Sequence, residues 1–203
     1  MPRELNDAEK QRLATLPIRD VVDAGEWFRY LQEPELQAIV RESAEKLRII
    51  NDTAAHDPAL AAELLQAFAP GIHPSATVYF PVNSLEYPDR VTVGEGTFIN
   101  GGLTVISGGR ISIGAHCFIG PNCQLFTPNH HKSDKFLRRE GWQYDSPISI
   151  GDDCWLGGSV IILPGVTIGD NVIIGAGSVV TKDVPSNCVI GGNPAHHIRS
   201  LDA

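Results

Sequence analysis

The sequence predicts an all-β solenoid preceded by a small α-helical cap, and two periodicities support this prediction. From about residue 93 onwards an aliphatic residue returns at every sixth position, and glycine often follows it. Before residue 70, apolar residues recur instead at the spacing of an amphipathic helix. A six-residue period is typical of a parallel β-helix, in which three short strands complete one coil of about 18 residues.

The six-residue frame assigns the solenoid to residues 70–203. The first position of each unit is expected to point inwards and to stack on its equivalent in the next coil. In the last two coils these positions are Ile150, Leu156, Ile162, Ile168, Ile174 and Val180. The fifth position is also expected to face inwards, where space is tight. Since Cys117, Cys123 and Cys154 occupy it, we interpret them as small core residues rather than metal ligands or redox pairs.

Residues 1–69 form the predicted helical cap region. A helix beginning at Pro34 carries apolar residues at helical spacing and is expected to end over residues 51–53. A shorter helix is predicted over residues 57–68, with Asp57 as its N-cap. Because an isolated amphipathic helix is only marginally stable in water, this region is expected to dock on another part of the molecule.

One segment interrupts the repeat. Residues 131–147 form an inserted loop that is basic and aromatic, whereas residues 148–181 contain no lysine or arginine. Long loops on rigid scaffolds often carry function. The sequence therefore predicts that functional side chains lie near this insertion.

The charge of the chain limits its partners. The net charge of −8 argues against nucleic acid and anionic membranes as the main partners. No apolar run reaches the roughly 18 residues that a membrane-spanning helix needs. The first residues carry charges of both signs without the apolar stretch of a signal peptide, so the cytoplasm is the expected compartment.

The repeats, and above all residues 148–199, resemble the galactoside and maltose O-acetyltransferase group of the hexapeptide-repeat acyltransferases. The resemblance is dense from about residue 91 to residue 200 and looser in the N-terminal helical segment. It implies a left-handed helix and a homotrimer with active sites between subunits. It also implies direct transfer of an acetyl group from acetyl-CoA to a hydroxyl of a small sugar-like acceptor, with no metal required.

The same resemblance assigns roles to individual residues. The family's catalytic histidine lies where the long loop leaves the stack, which makes His130 in Phe126–His130 the expected general base. Gly158 matches the backbone N–H donor for the oxyanion, and Asn100 matches an acceptor-binding asparagine. The expected CoA contacts are Trp155, Gly158, Ala176, Thr181, Lys182 and Arg199.

The chain also departs from the family pattern. Gly108 stands where the family has an aspartate that holds an acceptor hydroxyl, and His196 stands where it has a CoA-binding arginine. Extra residues over 83–88 lie beside the expected acceptor pocket, with Glu86 as a candidate replacement carboxylate. We therefore expect the acceptor to bind differently from galactosides or maltose, and we expect Gly108→Asp to improve sugar acceptance if an aspartate fits there.

Three alternatives remain open from the sequence. The acceptor could be an antibiotic, an amino acid or an amine on a nucleotide sugar. A second alternative is a non-catalytic solenoid subunit that only binds partners. The third, a solenoid zinc enzyme, needs three imidazoles around one metal, and the spacing of His116, His130 and His131 does not resemble that pattern.

Overall fold

In the computed structural model, which describes residues 2–201, four α-helices precede the first strand. They are α1 (Asp7–Leu13), α2 (Ile18–Asp23), α3 (Pro34–Ala54) and α4 (Pro58–Phe68). The N-cap of α4 is Asp57, as predicted, because its carboxylate accepts a hydrogen bond from the amide of Leu60. Helix α3 ends at Ala54, one residue beyond the predicted end over residues 51–53. Asn51 does not terminate it, since its side-chain amide pairs with both the N–H and the carbonyl of Val82.

The following residues wind into a left-handed parallel β-helix of about six turns, as predicted. Each turn contributes short strands to three sheets, called sheets I, II and III in the order in which the chain crosses them. Sheet I contains β1 (Thr77–Val78), β4 (Phe98–Ile99), β7 (Phe118–Ile119), β12 (Trp155–Leu156), β15 (Val172–Ile174), β17 (Cys188–Gly191) and the antiparallel β18 (His196–Ser200). Sheet II contains β2 (Ser84–Leu85), β5 (Thr104–Ile106), β8 (Gln124–Phe126), β13 (Ile161–Ile162) and β16 (Val179–Val180). Sheet III contains β3 (Val91–Val93), β6 (Ile111–Ile113), β11 (Ile148–Ile150) and β14 (Thr167–Ile168).

The strand register follows the six-residue frame. In sheet III, Val93 pairs with Ile113, Ile113 with Ile150, and Ile150 with Ile168. The small residues of the fifth position are buried as predicted, and each of the three cysteines assigned to it is at most 1% exposed. The fourth cysteine, Cys188, occupies the same column because it pairs with Val172. All four thiols are free and buried.

The inserted loop has secondary structure of its own. It leaves the stack through β9 (Pro128–His130), forms the short helix α5 (Lys135–Arg139) and returns through β10 (Gln143–Asp145). Strands β9 and β10 pair antiparallel, which makes this excursion a long hairpin anchored at the edge of sheet II. A backbone bridge between Phe28 and Gln143 then ties the N-terminal segment to the hairpin.

Two apolar cores result from this arrangement. The first fills the solenoid and includes Leu47 and Ile50 of α3 and Leu65 of α4, so these helices close one end of the stack. The second joins the first 36 residues to the hairpin and to Tyr87. The boundary near residue 70 stays a prediction, because the cap region contributes to both cores. Within residues 2–201, no helix is long and apolar enough to cross a membrane.

The inward stacking of aliphatic side chains predicts that substitutions at two neighbouring residues of β11 have very different effects on stability. Ile150 is 2% exposed, whereas Ser149 points outwards from the same strand. Ile150→Asp is expected to lower the free energy of unfolding by more than about 4 kcal/mol, because it buries an unpaired charge in a tight stack. Ser149→Asp is the matched control and should stay within about 1 kcal/mol of the wild type. Chemical denaturation measures both, and equal effects would contradict the assigned faces.

Candidate active site

A cavity of about 270 Å³ lies where the edge of sheet II meets the hairpin. Its lining comes from the N-terminal segment, from the segment after β2 and from both hairpin strands. The lining residues are Phe28, Tyr30, Glu86, Tyr87, Ile106, Gly108, Pro128, His130, Gln143 and Asp145. A larger groove of about 490 Å³ beside α3 and α4 contains none of the residues that the sequence singles out. The smaller cavity brings His130, Glu86 and Gly108 together, and it is therefore the candidate site.

The hairpin positions His130. His130 pairs with Gln143, and Pro128 pairs with Asp145. Because side chains alternate along a strand, these four residues lie on one face of the hairpin. All four line the cavity, and His130 is exposed to solvent. The predicted base is thus accessible to a small molecule bound there.

His131, the neighbour of the predicted base, has a different environment from His130. Its ring stacks on Trp27 at 4.9 Å between centroids, and its Nδ1 accepts a hydrogen bond from the amide of Asp134 at 3.0 Å. His131 is half-buried and ties the hairpin to the N-terminal segment. Within residues 2–201, no three His, Cys, Asp or Glu side chains are grouped so that they could hold a metal ion.

Two carboxylates share the cavity with His130. The Glu86 carboxylate accepts a hydrogen bond from the amide of Ser107 at 3.2 Å, and its burial raises its pKa. Asp145 is only 3% exposed, and its Oδ1 accepts a hydrogen bond from the hydroxyl of Thr127 at 2.8 Å. Burial raises the pKa of Asp145, and the hydrogen bond from Thr127 opposes this shift. Glu86 was expected near the acceptor, whereas the sequence did not indicate Asp145.

Asp145 changes the interpretation of Gly108. A Cβ atom added to Gly108 would approach the Asp145 carboxylate to well under 3.0 Å, closer than real side chains pack. An aspartate at position 108 therefore fits only if the Asp145 carboxylate moves, so the condition attached to the expected gain in sugar acceptance is not met in the otherwise unchanged chain. The carbonyl of Gly108 accepts a hydrogen bond from Arg90, which also pairs with Asp23 at 3.1 Å. This arrangement holds the glycine firmly beneath the carboxylate.

Three predicted residues lie at another edge of the solenoid, between sheets I and II. Asn100 follows β4, Gly158 follows β12 and Ala176 follows β15. The side-chain oxygen of Asn100 accepts a hydrogen bond from the amide of Gly101 at its own corner, at 2.8 Å. The amide of Gly158 has no acceptor within residues 2–201. None of these residues lines the His130 cavity. Within a single chain they therefore do not lie beside His130, the predicted base.

The remaining predicted CoA contacts are spread over the C-terminal turns. Thr181 and Lys182 follow β16 and are exposed at the edge of sheet II where the hairpin also emerges. Trp155 is 55% exposed on the outer face of sheet I. Arg199 and His196 lie on β18, at the end of the same sheet, and both are exposed.

Comparisons with known protein families agree with this architecture. The family described as bacterial transferase hexapeptide (six repeats) matches residues 147–182. The family described as hexapeptide repeat of succinyl-transferase matches residues 110–125. Both matches fall on the coils that contain the six-residue frame.

Known proteins with similar sequences and structures are acetyltransferases. The galactoside O-acetyltransferase of Lactococcus lactis is 37% identical over 83% of this chain and 83% of its own. The structure of a maltose O-acetyltransferase from Clostridium difficile superposes with a TM-score of 0.86 at 33% identity, covering 93% of this chain and 99% of the other. A hexapeptide-repeat acetyltransferase from Vibrio cholerae, complexed with acetyl-CoA, superposes with a TM-score of 0.79 at 31% identity over 93% and 100% of the two chains. The chain therefore belongs to the galactoside and maltose O-acetyltransferase group of the hexapeptide-repeat acyltransferases, and it is an acetyltransferase.

Proposed function

We propose that this enzyme transfers an acetyl group from acetyl-CoA to a hydroxyl of a small sugar-like acceptor bound in the His130 cavity. The observation that supports this most strongly is the placement of an accessible imidazole in a cavity with two carboxylates, Glu86 and Asp145. Carboxylates accept hydrogen bonds from hydroxyl groups, and an imidazole can take the proton of the hydroxyl that reacts. The acetyl-CoA complex of the Vibrio cholerae relative supports the choice of donor.

The reaction needs no nucleophile from the protein. His130 removes the proton from the acceptor hydroxyl while its oxygen attacks the thioester carbonyl, an effect worth roughly 10² to 10⁴ in rate. The tetrahedral intermediate carries an oxyanion, and the free amide of Gly158 is the proposed donor to it. Collapse of the intermediate breaks the carbon–sulfur bond, and the CoA thiolate takes the proton back from the His130 imidazolium. The products are the acetyl ester and CoA.

The proposed CoA site uses the exposed residues of the C-terminal turns. Lys182 and Arg199 supply cationic groups for the phosphates, in a stretch of chain that is otherwise poor in basic side chains. Trp155 and Ala176 border the groove in which the pantetheine arm would lie, and Thr181 would contribute a hydroxyl. No metal enters this proposal, because the thioester is already activated and the base is an imidazole.

A second copy of the chain is needed to complete this site. His130 and the Gly158 edge lie at opposite edges of sheet II, because β8 ends near the hairpin and β13 begins after Gly158. A closed ring of identical subunits brings two different surfaces of neighbouring copies together. In the proposed homotrimer, His130 of one copy faces Asn100 and Gly158 of the next.

The outer face of sheet I carries an apolar ladder suited to such an interface. Phe98 pairs with Phe118, Phe118 with Trp155, and Trp155 with Ile173. Phe118 is 59% exposed and Trp155 is 55% exposed. A contiguous exposed apolar stripe of this kind normally marks an interaction surface.

Other classes of acceptor are alternatives to a sugar. Antibiotics, amino acids and amines on nucleotide sugars would be acetylated by the same chemistry, since the base and the donor would not change. A purely structural solenoid would need neither an accessible His130 nor exposed Lys182 and Arg199. An acetyl-CoA consumption assay over sugars, amino acids and antibiotics tests these alternatives. A rate no higher than that of spontaneous hydrolysis with every compound would contradict the proposal. The cytoplasm remains the expected compartment.

The two adjacent histidines provide a matched pair of variants. His130→Ala is expected to lower kcat by roughly 10² or more, with an unchanged KM for acetyl-CoA, because a base acts in the transition state. His131→Ala should keep kcat within about threefold, but it should lower Tm because the stack on Trp27 is lost. Steady-state kinetics and thermal melts measure the two effects. Full activity in His130→Ala would eliminate this residue as the base.

The trimer is tested with two phenylalanines of equal exposure. Sedimentation of the wild type at micromolar concentration should give about three times 21.9 kDa. Phe118→Asp should dissociate the assembly and abolish transfer, because it places a charge in the apolar ladder. Phe136→Asp is the control, since Phe136 is 60% exposed on the hairpin, away from sheet I. A monomeric wild type with full activity would contradict the shared site.

A further inference from the structure

One oxygen atom in the cavity has no partner. Within residues 2–201, the buried side-chain atoms without a hydrogen bond are Glu26 Oε2, Ser107 Oγ and Asp145 Oδ2. Of these three residues, Asp145 lines the His130 cavity. Its side chain belongs to a residue that is 97% buried, and only its Oδ1 is used, by Thr127. Leaving a buried carboxylate oxygen without a donor is costly, and such a group calls for an explanation in function.

The surroundings of Asp145 fix its carboxylate at the wall of the cavity. The pairing of β10 with β9 sets Asp145 opposite Pro128, two positions along the strand from His130. Gly108 lies directly against the carboxylate, and any Cβ at this position would collide with it. The φ angle of Gly108 is not in the left-handed region, so the local backbone does not require glycine. Space for the Asp145 carboxylate is the feature that does require it.

The charges around the cavity favour an uncharged ligand. Glu86 is the second carboxylate in the lining, and no described lining residue is a lysine or arginine. Arg90 is nearby, but its guanidinium is engaged by Asp23 and by the carbonyl of Gly108. Two carboxylates accept hydrogen bonds from hydroxyl groups and repel an anion at short range.

We propose that Asp145 determines which acceptor is used: its carboxylate accepts a hydrogen bond from a hydroxyl of an uncharged sugar, and its charge excludes acceptors that carry a carboxylate or phosphate. This inference rests on the proposed function of the cavity. It adds a specificity-determining residue, Asp145, that the sequence did not indicate. Gly108 contributes by leaving room for the carboxylate.

The first test removes the charge and keeps the shape. In Asp145→Asn, the amide oxygen can still accept the hydrogen bond from Thr127, so the fold should melt at nearly the wild-type temperature. Glucose, maltose and methyl β-galactoside are compared as acceptors with glucuronate and galacturonate. The variant should raise KM for the neutral sugars about five- to tenfold, because the NH₂ group that replaces the second carboxylate oxygen cannot accept a hydrogen bond from a sugar hydroxyl.

The same variant should change the discrimination between neutral and anionic sugars. The ratio of kcat/KM for a neutral sugar to that for its uronate should fall by about tenfold or more, because a like charge in a buried site has been removed. KM for acetyl-CoA should not change. A merely structural role would lower activity with all acceptors in proportion and would leave this ratio unaltered, which would overturn the inference.

Exchanging the residues at positions 108 and 145 gives an independent test. Gly108→Asp alone should impair binding of neutral sugars, because its side chain has no space beside Asp145. In the double variant Gly108→Asp with Asp145→Gly, space is restored and sugar binding should recover by about tenfold relative to Gly108→Asp. Additive losses in the double variant would show that the two positions do not share one space.

Direct binding separates this inference from the proposed function. Titration calorimetry of each neutral sugar into the wild type and into Asp145→Asn needs no turnover. Sugar binding that weakens in the variant without any acetyl transfer would overturn the proposed function and support the role of Asp145. Transfer with an unchanged KM and an unchanged ratio would overturn the role of Asp145 alone. Failure of every neutral sugar to bind or react would overturn the inference.

Discussion

The vertical stacking of aliphatic side chains inside the solenoid is the constraint on which the rest of the structure depends. Each coil must present its inward residues above those of the coil before it, so any insertion has to leave and rejoin the stack in register. The long excursion after β8 does so, because Ile150 returns above Ile113 and Ile162 above Leu125. An insertion can meet this condition only if its two ends lie side by side, which an antiparallel hairpin achieves.

This closure also builds the acceptor cavity. When β10 returns beside β9, Gln143 lies opposite His130 and Asp145 lies opposite Pro128. The predicted base and the buried carboxylate are therefore placed by the same backbone ladder, and their separation does not depend on loop flexibility. The N-terminal segment completes the wall because Phe28 bridges to Gln143. The residues proposed to bind the donor lie on another edge of the solenoid, which is why the proposed mechanism requires a neighbouring copy.

The sequence predicts the solenoid well because its order is local. The six-residue frame determined which residues face inwards, and the register of Ile150 and Ile168 follows from it directly. His130 could be singled out because it lies at a motif where the chain leaves the stack. Asp145 could not, because its contact with Gly108 depends on the register of a hairpin that no periodicity specifies. The one available signal was an acidic residue at the end of an otherwise basic and aromatic insertion. The stack of His131 on Trp27 was missed for the same reason, since it joins segments far apart in the chain.

The central claim is that one chain holds the acceptor while its neighbour presents the thioester. The most direct measurement is a crystal structure of the enzyme with CoA and a neutral sugar bound together. The account predicts a trimer in which the sugar lies between His130 and Asp145, with one hydroxyl on the Asp145 carboxylate. The CoA thiol should approach from the Gly158 edge of the adjacent subunit. A sugar and a CoA thiol that met within a single chain, away from His130, would contradict it.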